Sequence, residues 1–158
     1  MAVRVQRNSF DTDAEVKALT AGRTDIGAIV TFTGLMRAAN AGKAVTAMSL
    51  EHYPGMTEGE LQSLEEEARR RWSLAASLIV HRVGDFSPGD PIVLVVTAAP
   101  HRQAAFAAAE FLMDYLKTRA PFWKRESGPE GDRWVEARDS DAAASERWGA
   151  WRRGGKDP

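Results

Sequence analysis

The chain has 158 residues, 44% of them hydrophobic and 27% charged, with a formal net charge of -1. That is enough material for a buried core without metals or disulfides, and too balanced for a generic polyanion binder, so any anion site must come from local clustering. Cysteine is absent, which excludes a thiol nucleophile, a disulfide framework, thiolate-ligated zinc and an internal sulfur carrier.

The N-terminal stretch MAVRVQRNSFDTDAEV has no signal-peptide architecture. No segment approaches the ~20 apolar residues of a membrane span, and a cytoplasmic location is expected. Val3 to Gln6 alternates and predicts a short edge strand; Asp11 or Thr12 then caps a helix through Leu19, ended by Ala21-Gly22. Residues 26–33 (IGAIVTFT) and 45–53 read as two strands forming a hairpin, with the small-residue loop 38–43 as its mobile tip. After the Pro54-Gly55 turn, Thr57 with Glu60 predicts a capping box for a helix through Trp72.

Residues 77–83 (SLIVHRV) and 92–97 (IVLVVT) read as strands separated by a turn over 84–90. Ala105, Ala108, Ala109, Leu112, Met113 and Leu116 carry helical spacing. That helix opens at Pro100-His101-Arg102 and must stop near Arg119, because Pro121 lacks an N–H and biases Ala120 towards extended geometry. Phe122 to Glu126 predicts a strand, the 128–132 turn a hairpin to residues 134–137, and Asp139 or Ser140 a last helix to Trp151. The order favours an α+β two-layer architecture over a doubly wound sheet. One domain is expected over 1–151, with a disordered tail at 152–158.

The chemistry concentrates in DYLKTRAPFWKRE, 114–126. Lys117 falls on the last helical turn and Lys124 in the following strand, so their ammonium groups can reach one volume. With Arg119 and Arg125 they make a cation cluster able to hold an anion, or to make one lysine a nucleophile or base by like-charge repulsion. Lys117 can equally just complement the helix dipole, and Lys124 just face solvent. His101 and Arg102 at a helix N-terminus suit an anion or a solvated loop. Arg37 precedes the flexible loop and suits closure over a ligand, or is a surface arginine. Arg138 is open between function and a pair with Asp139 or Asp141. His52 and His81 read as packed or surface strand positions. No HExxH, Walker or dinucleotide fingerprint is present, and no metal or cofactor is expected.

At this point the chain closely resembles the large, catalytic subunit of molybdopterin synthase. The matching stretches are VTFTG with Arg37 (30–37), LEHYPGMTE (50–58), HRVGDFSPGD (81–90), His101-Arg102, MDYLKTRAPFWKRE (113–126) and EGDRWVEARDSD (130–141). The resemblance implies an α/β-hammerhead-like fold with an additional antiparallel sheet. It implies a sulfurtransferase that converts cyclic pyranopterin monophosphate into the molybdopterin dithiolene. The sulfur would arrive as a thiocarboxylate on the C-terminal Gly-Gly of a small ubiquitin-like subunit, consistent with the missing cysteine. A homodimer at the core of a heterotetramer is implied.

By the same resemblance Lys117 and Lys124 are the catalytic lysines. Arg37, His101 and Arg102 bind the anionic pterin, the last two across the dimer, and Arg138 is a further basic residue near the pocket. Arg125 and Glu126 complete the expected substrate-binding set. Leu35-Met36 departs from the pattern, since relatives often carry a basic residue before Arg37. The alternative is a non-catalytic module for a ubiquitin-like tail; a single-stranded nucleic-acid binder fits the charge balance poorly.

Overall fold

The computed structural model describes residues 2–135 and 139–149. The elements run β1 (Ala2–Gln6), α1 (Thr12–Thr20), β2 (Ala28–Leu35), β3 (Ala39–Asn40), β4 (Lys43–Ala44), β5 (Ala47–His52), α2 (Met56–Trp72), β6 (Ala76–Arg82), β7 (Gly84–Phe86), β8 (Pro91–Ala99), α3 (Arg102–Thr118), β9 (Phe122–Gly128), β10 (Gly131–Val135) and α4 (Asp139–Glu146). This is the expected α+β architecture with an additional antiparallel sheet. The expected tail at 152–158 lies outside the described residues.

The first sheet has the order β1-β6-β8-β2, with β1 parallel to β6 and the other pairs antiparallel. Strands β6 and β8 read as near-continuous apolar runs because both their faces are covered. Ile79, Val93 and Val95 face a core shared with Leu61, Leu64, Phe111 and Leu112 of α2 and α3. Leu78, Val80, Leu94 and Val96 point the other way, onto Phe10, Val16 and Leu19 beside and within α1. The period-2 alternation of a strand thus splits each run between two layers.

The second sheet has the order β10-β9-β5-β7, antiparallel throughout. Here the expected hairpin between 26–33 and 45–53 fails. Strand β2 pairs with β8 and β5 with β9 and β7, so the two lie in different sheets. The cause is the crossover after β2. Met36 donates its N–H to Asp90 O and accepts from Gly89 N–H at its own carbonyl, and its side chain is buried with Val45, Met48, Leu50 and Phe86. Those contacts carry the chain off the first sheet, and only the small β3–β4 ladder closes at the tip.

Three local expectations also change. Residues 84–86 are a strand rather than part of the turn, because Leu50 and Met48 pair with Gly84 and Phe86. The start of α2 is capped at Gly55, whose N–H donates to the Glu58 carboxylate at 2.6 Å. Thr57 is not the cap: it is fully buried, its hydroxyl accepting from Tyr53 N–H and donating to Pro121 O, each at 3.1 Å. The last helix ends at Glu146, short of Trp151, where Trp148 turns in to donate to Asp114 and to pack on Trp72 and Phe111.

Candidate functional site

Lys117 and Lys124 line the same cleft, of about 740 Å³, where the end of α3 meets the second sheet. Helix α3 ends as expected, with Arg119 as its C-cap. Strand alternation then selects the side chains of the floor. Phe122, Lys124 and Glu126 of β9 face the cleft, opposite Leu50 and Met48 of β5. Phe32, Gly34, Ile92 and Val93 form one wall, Met113, Leu116 and Lys117 another, and Arg37 with Ala39 to Ala41 the rim.

Among the described residues four cationic side chains border this cleft, Arg37, Lys117, Lys124 and Arg133, against one carboxylate, Glu126. Glu126 is only 5% exposed. It accepts from Asn40 at 2.9 Å and pairs with Lys124 at 3.3 Å and Arg133 at 3.2 Å. Burial pushes its carboxyl up, but the Asn40 bond, the Lys124 charge and the Arg133 bond outweigh that and hold it below the usual carboxylate range. Glu126 is therefore an anion that fixes its neighbours, and Lys124 is steadied by a partner it does not bury. A second link closes the rim, since Arg133 also donates to Asn40 O at 3.2 Å.

The remaining expected residues fall elsewhere. Arg125 is exposed on the opposite face of β9, paired in register with Ser49 and Trp134. His101 caps α3 at its far end and, with Arg102, lines a separate shallow depression beside Gly27, Pro100 and Gln103. Arg102 and Lys117 stand about 22 Å apart along the helix at ~1.5 Å per residue. One chain does not bring them to the same ligand. Arg138 lies outside the described residues. The departure before Arg37 resolves into two roles: Met36 is buried in the second core, whereas Leu35 is 56% exposed at the cleft.

One cleft residue, Arg133, escaped the sequence reading, and another, His81, was read only as a packed or surface strand position. Arg133 had a usable signal, because the hairpin turn at 128–132 places it directly across from Glu126. His81 had none. It lines the cleft, buried, with its ring stacked on Phe122 at 3.8 Å between centroids. Among the described residues no group of His, Asp and Glu is placed to hold a metal ion, and no helix is long and apolar enough to cross a membrane.

A family model described as MoaE protein matches residues 5–119. A Pseudomonas aeruginosa relative named molybdopterin synthase catalytic subunit is 55% identical over 148 residues, spanning 94% of this chain and 99% of that protein. A solved Burkholderia ambifaria structure, described as a molybdopterin biosynthesis MoaE protein, superposes with TM-score 0.81 at 53% identity, covering 96% of this chain and all of the other. A Helicobacter pylori structure, a complex of subunits 1 and 2 of molybdopterin-converting factor, shares the fold at TM-score 0.68 and 20% identity, covering 87% of this chain and 90% of the other.

Proposed function

The chain belongs to the MoaE protein family, and on that footing we propose that it is the catalytic subunit of a molybdopterin synthase. It transfers sulfur from the C-terminal thiocarboxylate of a small ubiquitin-like subunit to cyclic pyranopterin monophosphate. The observation that carries the site assignment is the convergence of Arg37, Lys117, Lys124 and Arg133 on one cleft. A phosphate-bearing substrate and an anionic tail both need fixed cations in a partly dry volume, where charge-assisted hydrogen bonds are strong.

In this reading Lys117 and Lys124 hold the thiocarboxylate. Once its sulfur is bonded to the pterin, water adds to the acyl carbon and the ammonium groups stabilise the resulting oxyanion until the C–S bond breaks, leaving sulfur on the pterin and a carboxylate on the carrier. Glu126 and Asn40 keep Lys124 in place, so its ammonium need not reorganise during the reaction. Arg37, on the rim, closes the anion site. His101 and Arg102 lie too far along α3 to join, and we assign them to the cleft of a second copy. Strand β2 offers a route to such a homodimer: it is a sheet edge, with Ile29, Phe32 and Leu35 exposed at 43%, 39% and 56%. The small partner follows from the tail chemistry, and the related Helicobacter pylori fold is itself described in a two-subunit complex. A cytoplasmic setting fits a carrier whose thiocarboxylate is charged elsewhere in the cell.

The test is reconstitution with a thiocarboxylated small subunit and cyclic pyranopterin monophosphate, read as dithiolene product. Wild type should form product; Lys117→Ala should lose at least a hundredfold, the scale of removing one charge-stabilising donor. Lys117→Arg keeps charge but changes size and proton transfer, and should also fail. Tight binding of the small subunit with no product would instead favour the non-catalytic module.

A further inference from the structure

His81 is a buried imidazole on the wall of the cleft that the chemistry above leaves unused. Strand alternation sends it to the α3 side of the first sheet, in line with Ile79 of the main core. One ring face is covered by Phe122, at an interplanar angle of 18°. Nδ1 lies 2.9 Å from the Arg82 carbonyl oxygen. That oxygen can only accept, so Nδ1 carries the proton and Nε2 keeps its lone pair. Burial, reinforced by the charges of Lys117 and His52 and opposed by the Arg82 carbonyl, pushes the imidazolium down to about 4. The ring is neutral above that pH.

The other polar side chains of the cleft are mostly donors: Arg37, Lys117, Lys124 and Arg133. The oxygens of Glu126 are engaged, Oε1 by Asn40 and Lys124 and Oε2 by Arg133. His81 Nε2 is thus an acceptor in a donor-lined cavity, near enough to Lys117 to feel its charge. A carboxyl-terminal residue held by Lys117 carries its own amide N–H two bonds from the carboxyl carbon. An acceptor that lines the same cleft as Lys117 can meet that N–H.

We propose that His81 Nε2 accepts a hydrogen bond from the last backbone amide of the carrier's C-terminal tail and so orients the terminal carboxyl carbon against Lys117. This rests on the tail-binding reading above. His81 is then a substrate-binding residue that recognises peptide rather than pterin.

The experiment is a double-mutant cycle on tail binding. The small subunit is prepared by ligation with a C-terminal Gly-Gly carboxylate, and again with its last amide replaced by an ester, which removes one N–H. Each is titrated against wild type, His81→Phe, which keeps a ring on Phe122, and His81→Gln, which restores an acceptor. In wild type the ester should weaken binding about five- to tenfold, the scale of one net hydrogen bond. His81→Phe should cost the amide form a similar factor and abolish the difference between amide and ester; His81→Gln should recover part of it. Independent, multiplying effects would overturn the proposal, as would an ester that binds wild type as tightly as the amide. The second result needs no variant and holds even if His81→Phe fails to fold. Variants that raise the KM for the pterin while leaving tail affinity unchanged would move His81 to the other substrate and sink the assignment. No binding of the amide form to wild type would refute the tail reading itself, and this inference with it.

Discussion

Thr57→Val removes a hydroxyl that holds the turn beside the cleft and little else. Thr57 is fully buried, and its hydroxyl joins Tyr53 N–H to Pro121 O. Pro121 sits in the turn between Lys117 at the end of α3 and Lys124 in β9, so this bridge ties the first turn of α2 to the segment that spaces the two lysines. Valine has almost the same shape, which isolates the loss of two hydrogen bonds. Each contributes about 1 kcal/mol net, and up to ~2 more where the abandoned group stays dry. Both bonds are only partly buried, so water can relieve part of that cost, and a total of about 2–4 kcal/mol is expected. For a chain of this size that lowers Tm by on the order of 10 °C. The control is Thr57→Ser, which keeps the hydroxyl and loses a methyl at about 1 kcal/mol. Urea unfolding of the three proteins measures the difference, and turnover should fall further in Thr57→Val than in Thr57→Ser. If Thr57→Val lies within ~0.5 kcal/mol of wild type, or Thr57→Ser costs as much, the bridge does not hold the turn.

His81 also makes stability depend on pH, and the sign follows from its protonation. Unfolded, it binds a proton near the ordinary 6.5; folded, only near 4. Between those values the unfolded chain holds more protons, so stability falls as pH falls through that window and is fully present above it. Relative to His81→Phe, wild type should lose about 2–3 kcal/mol between pH 7.5 and 4.5 at ~1.4 kcal/mol per pH step; parallel urea curves would discard the assignment. Gly128→Ala would place a Cβ 2.3 Å from Ala44 O, a backbone atom that cannot rotate away. It should loosen the seam where Thr46 N–H donates to Ser127 O at 2.8 Å, costing about 1–3 kcal/mol. An unchanged urea midpoint would show that the strands yield without penalty.

What was legible in the sequence is what local chemistry decides. Asp11 caps α1 by accepting from Ala14 N–H, Pro121 ends α3, and the 128–132 turn folds β10 back on β9; each follows from a few adjacent residues. Lys117 and Lys124 shared a cleft as expected because a helix end and the next strand cannot separate far. The errors came where partners are distant in sequence. Nothing in IGAIVTFT says that it will pair with β8 rather than with the strand after its loop; that choice rests on Met36 being buried among residues from β5 and β7. Thr57 misled for a related reason: a Thr before a helix usually caps it, but here its hydroxyl is drawn to a carbonyl 64 positions away.

The same distinction explains how the site is divided. Lys124, Glu126 and Arg133 sit on one hairpin, so their mutual pairing is a local property of alternation and register. Lys117, His81 and Arg37 come from α3, β6 and the loop after β2, and meet only when α3 packs on the first sheet beside the second. The hairpin cations therefore arrive neutralised in part by Glu126, while the cations from the other elements set the cleft's positive field. Removing the Glu126 charge would not simply make the cleft more attractive to anions. It would leave Lys124 without its charged partner and Arg133 held by its bond to the Asn40 carbonyl, and it would weaken the acceptor that receives the Asn40 amide at the rim. A stronger field would come with a less ordered site, and catalysis by preorganised charge depends on the order.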